Sequence, residues 1–166
     1  SFSDFKVHLE HLRELYAAGP ATAEQNWHFD RDWNVCGRDA NWLWVKLDFN
    51  VTDEENGISV VGDYKTGRSQ YKAVEHIQQT QLYAAAVALR QEWADTIITE
   101  LWYVDEGGNK SFTYPREQAL MYVNRFEARF VKIEQEKFWR PNPNRQTCRY
   151  CPYGKQNGNG RCEVAA

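Results

Sequence analysis

Residues 60–68 read VVGDYKTGR. Val60 and Val61 follow Ile58 in a short apolar run that reads as a buried strand, a place that disfavours two opposite charges unless they are paired. Asp63 and Lys65 stand two residues apart, so the period of a strand puts both side chains on one face and Tyr64 on the other. Gly67 then breaks the run.

Working outward, residues 42–51 alternate as a strand should, DEENG at 53–57 supplies a turn, and residues 58–65 form the partner arm. The hairpin carries Asp48 on one arm and Asp63 on the other. Two carboxylates brought side by side repel unless a cation binds between them. Hard divalent ions, Mg2+ or Mn2+, suit such a site, with the Tyr64 carbonyl as a further ligand. A lysine beside them orients or deprotonates a water, or neutralises charge on a phosphate in the transition state.

The rest of the chain builds a frame around this hairpin. Phe5, Leu9, Leu12, Leu15 and Tyr16 recur at helical spacing over residues 2–18, and Gly19-Pro20 stops them. Residues 24–35 are aromatic and extended. An alanine-rich stretch without Gly or Pro, residues 71–93, predicts the longest helix. Residues 97–105, EGGN at 106–109 and residues 110–114 predict a second hairpin, and Pro115 opens an amphipathic helix over 117–139. Beyond Pro141 the Pro-, Asn-, Gly- and Cys-rich text sustains no regular structure by itself. The expected class is α/β, a small central mixed sheet flanked by helices, with residues 1–140 as the core and 141–166 as a cysteine-rich tail packed on it.

Composition narrows the function. Hydrophobic residues at 42% and aromatics at 14% exclude a disordered chain. No apolar run approaches the roughly 20 residues of a membrane span, and no signal-peptide pattern is present, so a soluble cytoplasmic protein without membrane partners is expected. A net charge of −3 and a pI near 5.8 exclude a global basic field, so any polyanion site must be local. Of the seven tryptophans, Trp27, Trp33, Trp42 and Trp44 crowd one stretch, as an aromatic core or as base-stacking platforms for single strands. Cys148 and Cys151 with Cys162 downstream read as metal or redox chemistry in a reducing compartment.

Asp48, then Asp63-Tyr64-Lys65-Thr66-Gly67, with Gln79 and Tyr83 four apart on the long helix, resembles the PD-(D/E)XK nucleases, in particular their RecB-like branch. The resemblance implies a restriction-endonuclease-like core in which Asp48, Asp63 and the Tyr64 carbonyl hold Mg2+ or Mn2+. Lys65 then activates or stabilises, and Gln79 and Tyr83 position the lysine or DNA. This branch often adds a histidine from the first helix, here His8 or His11, and an upstream glutamate, here Glu24. The tail resembles that of the iron–sulfur exonucleases of the group, which implies a [4Fe–4S] cluster on Cys36, Cys148, Cys151 and Cys162. Two features depart from that pattern: the ten-residue gap before Cys162, and the place of Cys36 after the first helix. A Zn2+ site with Cys36 or His28 completing the three tail cysteines competes with the cluster.

The function expected from this resemblance is a metal-dependent DNA exonuclease acting on single strands or ends, with Lys46, Arg68 and Lys72 contacting phosphates. Recombination or replication proteins would be its partners, and phage or mobile-element DNA repair its setting. The alternatives are a non-catalytic DNA-binding subunit of a recombination or repair complex that keeps the nuclease fold, and a ferredoxin-like or zinc-binding interaction protein.

Overall fold

The computed structural model describes residues 2–66, 72–155 and 158–164. Two compact units make up the chain, Ser1–Arg129 and Phe130–Ala166. In the first, helix α1 (Phe2–Ala18) leads into strand β1 (Ala21–Phe29), a single 3-10 turn (Arg38–Ala40), and strands β2 (Leu43–Asp53) and β3 (Ile58–Lys65). Helix α2 (Ala73–Arg90), strands β4 (Thr96–Tyr103) and β5 (Gly108–Pro115) and helix α3 (Arg116–Gln135) follow, α3 running into the second unit.

The five strands form one sheet in the order β1-β2-β3-β4-β5. Only β3 and β4 run parallel; the other neighbours are antiparallel. A parallel pair needs a crossover, and α2 supplies it. The β2/β3 hairpin turns through Gly57, whose φ of +65° is a left-handed conformation that costs glycine nothing.

Alternation along β3 sorts the two faces. Tyr64 packs against Phe5 of α1 with ring centroids 5.5 Å apart, and His8 of α1 stacks on Trp102 of β4 at 3.8 Å. On the opposite face Val61, Ile97 and Tyr114 join the alanine stretch of α2 and Ala119 of α3 in the main core. Small alanines let that helix approach the sheet closely. A ring of hydrogen bonds anchors the C-terminal end of α2: Asn50 Nδ2 to Ser59 Oγ (3.0 Å), Ser59 Oγ to Gln91 Oε1 (2.6 Å) and Gln91 Nε2 to Asn50 Oδ1 (2.8 Å). Each buried polar group there finds a partner, as burial requires.

The second unit differs from the sequence expectation in two places. Helix α3 ends at Gln135 rather than near Trp139, because the Glu136 carboxylate accepts the Phe138 N–H at 2.8 Å and diverts the backbone. A short helix, α4 (Arg145–Tyr150), forms in the tail, where Asn144 Oδ1 accepts the Thr147 N–H at 2.9 Å. A side-chain cap thus supplies a turn in text that otherwise breaks helices.

Candidate active site

The β2/β3 ladder ends at the pair Phe49↔Gly62. One position further, where Asp48 would face Asp63, the strands part and a side chain takes over the bonding: Asp48 Oδ2 accepts the main-chain N–H of Tyr64 at 2.7 Å. The parting is seated by Gly62, since a Cβ there would stand 2.0 Å from the Phe49 ring. The two acids therefore sit at the mouth of a fork between the strands rather than on a flat surface.

Helix α2 supplies the wall facing Asp63. Gln79 and Tyr83, one helical turn apart, share a face and both reach the same carboxylate oxygen. Tyr83 Oη donates to Asp63 Oδ1 at 2.8 Å and Gln79 Nε2 donates to it at 3.1 Å, while Gln79 Nε2 and Tyr83 Oη lie 2.5 Å apart. Burial first, and then the Asp63 charge, push the Tyr83 phenol far above its ordinary pKa, so it remains a neutral donor at any working pH. The other oxygen, Asp63 Oδ2, is buried and pairs with the Lys65 ammonium at 2.6 Å. Both side chains are largely shielded, at 20% exposure for Lys65 and 13% for Asp63.

Asp48, Asp63, Gln79 and Tyr83 line one hollow of about 330 Å³, with Lys46 and Trp44 of β2 along its rim. Among the described residues, no three His, Cys, Asp or Glu side chains gather as a metal-binding group. Two carboxylates with a neighbouring carbonyl are nonetheless the donor set Mg2+ takes, because it keeps several of its waters. Asp63 Oδ2, paired with the Lys65 ammonium at 2.6 Å, is the oxygen that would turn to such an ion.

The other residues singled out in the sequence fall in different surroundings. Glu24 falls between the β1/β2 pairs Ala23↔Phe49 and Gln25↔Leu47, with a left-handed φ of 53°, but its side chain is 73% exposed and pairs with Lys46 at 3.3 Å. His11 is exposed on α1, 4.0 Å from Glu14. His8 packs on the α1 face of the sheet, opposite the acids, with Nε2 3.3 Å from Tyr64 Oη; burial, then the nearby His11, lower its pKa to about 4. Lys72 is exposed at the start of α2, and Arg68 lies outside the described residues.

Cys36, in the first unit, donates its main-chain N–H to the His28 carbonyl at 3.0 Å, and burial raises its thiol pKa. In the second unit the Cys151 N–H returns to the Cys148 carbonyl at 3.3 Å and the Cys162 N–H to the Tyr153 carbonyl at 2.9 Å. Gly154 and Gly158 let this knuckle close, since a Cβ on either would stand 2.5 Å from a main-chain oxygen, that of Cys148 or of Pro152. All four cysteines are free thiols and partly buried.

One neighbour of the site escaped the sequence reading. His76 stands one turn before Gln79 on α2, with Nδ1 2.8 Å from Tyr103 Oη, and burial, then Lys65, lower its pKa. The spacing of three residues before Gln79 was the available signal.

A family model of the PD-(D/E)XK nuclease superfamily matches residues 5–156. The chain belongs to that superfamily. Its mixed five-stranded sheet with flanking helices is the restriction-endonuclease-like core. The PD-(D/E)XK superfamily is one of nuclease-type phosphodiesterases, which typically use Mg2+ or Mn2+. Among solved structures, one described as the crystal structure of SSO0001 is similar at 18% identity and a TM-score of 0.45, covering 89% of this chain and 64% of that one. The chain thus spans less than two thirds of the length of that relative. No curated protein matches the sequence. Among the described residues, no helix is long and apolar enough to cross a membrane.

Proposed function

We propose that the protein is a metal-dependent deoxyribonuclease of the RecB-like branch, an exonuclease acting on single strands or ends. The observation that carries this reading is the convergence of Asp48 and Asp63 at the fork of β2 and β3, with Lys65 Nζ 2.6 Å from the Asp63 oxygen that Tyr83 and Gln79 leave unused. A non-catalytic DNA-binding module gains nothing from two acids facing a polyanion.

In this reading Asp48, Asp63 and the Tyr64 carbonyl hold Mg2+ or Mn2+. The bound ion would polarise a phosphoryl oxygen and acidify a water. Tyr83 and Gln79 hold the Asp63 carboxylate in one rotamer through Oδ1, which leaves Oδ2 to Lys65 and the ion. Lys65 orients the attacking water or stabilises charge on the phosphate as one P–O bond forms and the other breaks, the leaving oxygen taking up a proton. Lys46, with Lys72 and Arg68, contributes phosphate contacts.

The tail, in the same reading, holds a [4Fe–4S] cluster with Cys148, Cys151 and Cys162 among its ligands. What supports it is the thiolate donor set and the glycine-permitted knuckle that draws Cys162 back toward the Cys148–Cys151 turn. Metal bonds there would order a segment in which, among the described residues, no apolar side chain is fully buried. Brown protein on anaerobic purification is the expected result; colourless protein with one equivalent of zinc would assign the tail to a zinc site.

End-labelled single-stranded DNA and covalently closed circular DNA, each incubated with and without Mn2+, test the activity. The linear strand should be shortened from its ends only with the ion, and the circle should survive. Opening of the circle would make the enzyme an endonuclease, and no reaction on either substrate would leave the two non-catalytic readings, the DNA-binding subunit and the metal-binding interaction protein.

A further inference from the structure

The four tryptophans of residues 27–44 divide sharply. Trp27 is 2% exposed and Trp33 9% exposed, both in the core, and the guanidinium of Arg31 lies over the Trp42 ring at 4.5 Å. Trp44 is 60% exposed, though it is the one that lines the hollow of Asp48 and Asp63. An indole left in water at the rim of a charged site forgoes the burial that its large apolar surface would otherwise gain.

Its orientation is nevertheless fixed. Trp44 Nε1 donates to Asn26 Oδ1 at 3.1 Å, and the ring of His28, its cross-strand partner on β1, lies 22° from parallel with centroids 6.2 Å apart. A ring held in this way loses little freedom when a ligand settles on it. Trp44 stands four residues before Asp48 along β2, a separation of about 13 Å at the rise of a strand, with Lys46 between them. The order along the rim is therefore flat aromatic ring, cation, carboxylate.

We infer that Trp44 is the platform on which an unpaired base of the DNA substrate stacks, fixing the strand so that Lys46 meets its phosphate and a neighbouring phosphodiester reaches Asp48 and Asp63. This rests on the nuclease reading above. Bases inside a duplex are already stacked on both faces, so the platform serves a single strand or a frayed end. Trp44 is then a specificity-determining residue for the single-stranded substrate.

Steady-state cleavage of a labelled single-stranded oligonucleotide with Mn2+ tests the assignment in wild type, Trp44→Ala and Trp44→Phe. Trp44→Ala should raise KM about tenfold or more, the range carried by stacking one base, while kcat stays near wild type. Trp44→Phe, which keeps a ring and loses the hydrogen bond to Asn26, should recover most of the affinity. An unchanged KM in Trp44→Ala, or a Phe variant as impaired as the Ala variant, overturns the platform while the nuclease reading stands. If wild type cleaves no DNA, both fall together.

Discussion

Tyr83 Oη and Gln79 Nε2 converge on a single oxygen of Asp63, at 2.8 Å and 3.1 Å, which leaves the other oxygen of that carboxylate to Lys65. The helix thus aims the acid, and the acid and lysine share the face of the strand that points into the hollow. Removing the phenol hydroxyl in Tyr83→Phe keeps the ring volume and deletes one bond to Asp63. Mn2+ affinity or turnover should fall about 10–100-fold, the usual cost of losing a partner of a metal-binding carboxylate. Calorimetric titration of Mn2+ alongside turnover measures both.

Lys65→Ala separates holding an ion from using it. The substitution removes the ammonium that stands 2.6 Å from Asp63 Oδ2, so Mn2+ should bind at least as tightly as in wild type. Cleavage should nevertheless drop by about 10²–10⁴-fold, the span of a positioned proton-transfer or charge-stabilising group. A Mn2+ affinity that falls in step with activity would contradict the assignment of Lys65 to the water or phosphate.

Gly62→Ala should destabilise the first unit, because the new Cβ would stand 2.0 Å from the buried Phe49 ring. The expected loss is about 1–3 kcal/mol, the cost of overpacking a core. Adding Phe49→Leu makes room, so the two changes together should cost less than their sum in urea denaturation.

His8 should make stability pH-dependent. Its folded pKa of about 4 lies below the ordinary 6.5, so between those values the unfolded chain binds more protons than the native one. Stability is then fully present above pH 6.5 and declines as pH falls toward 4. The ring lies on Trp102 and faces Tyr64 Oη, with His11 nearby on the same helix. His8→Phe keeps an aromatic ring in that stack and should flatten the acid limb of a melting-temperature profile across this window.

Much of this architecture was legible in residue order. The hairpin of Asp48 and Asp63, the turn at DEENG and the shared face of Gln79 and Tyr83 all follow from periods of two and of about four residues along the chain. Less could be read where geometry depends on partners distant in sequence. That Gln79 and Tyr83 bond to Asp63, rather than to the lysine, depends on how closely the alanine face of α2 lets the helix approach the sheet. The division of the tryptophans into buried Trp27 and exposed Trp44 is set by cross-strand neighbours and by which helix covers each ring. The short helix at 145–150 escaped because a single Asn144 cap outweighs breaker composition.

Asp63→Asn gives the most direct test of the central claim, that the fork of β2 and β3 binds a catalytic cation. Mn2+ calorimetry and cleavage of labelled single-stranded DNA should be measured on the same preparations of wild type and variant. A neutral amide is a much weaker partner for a hard cation, so wild type should bind Mn2+ and cleave, while Asp63→Asn should do neither and keep its fold. A variant that binds Mn2+ and cleaves like wild type would contradict the account and move the reaction away from Asp63.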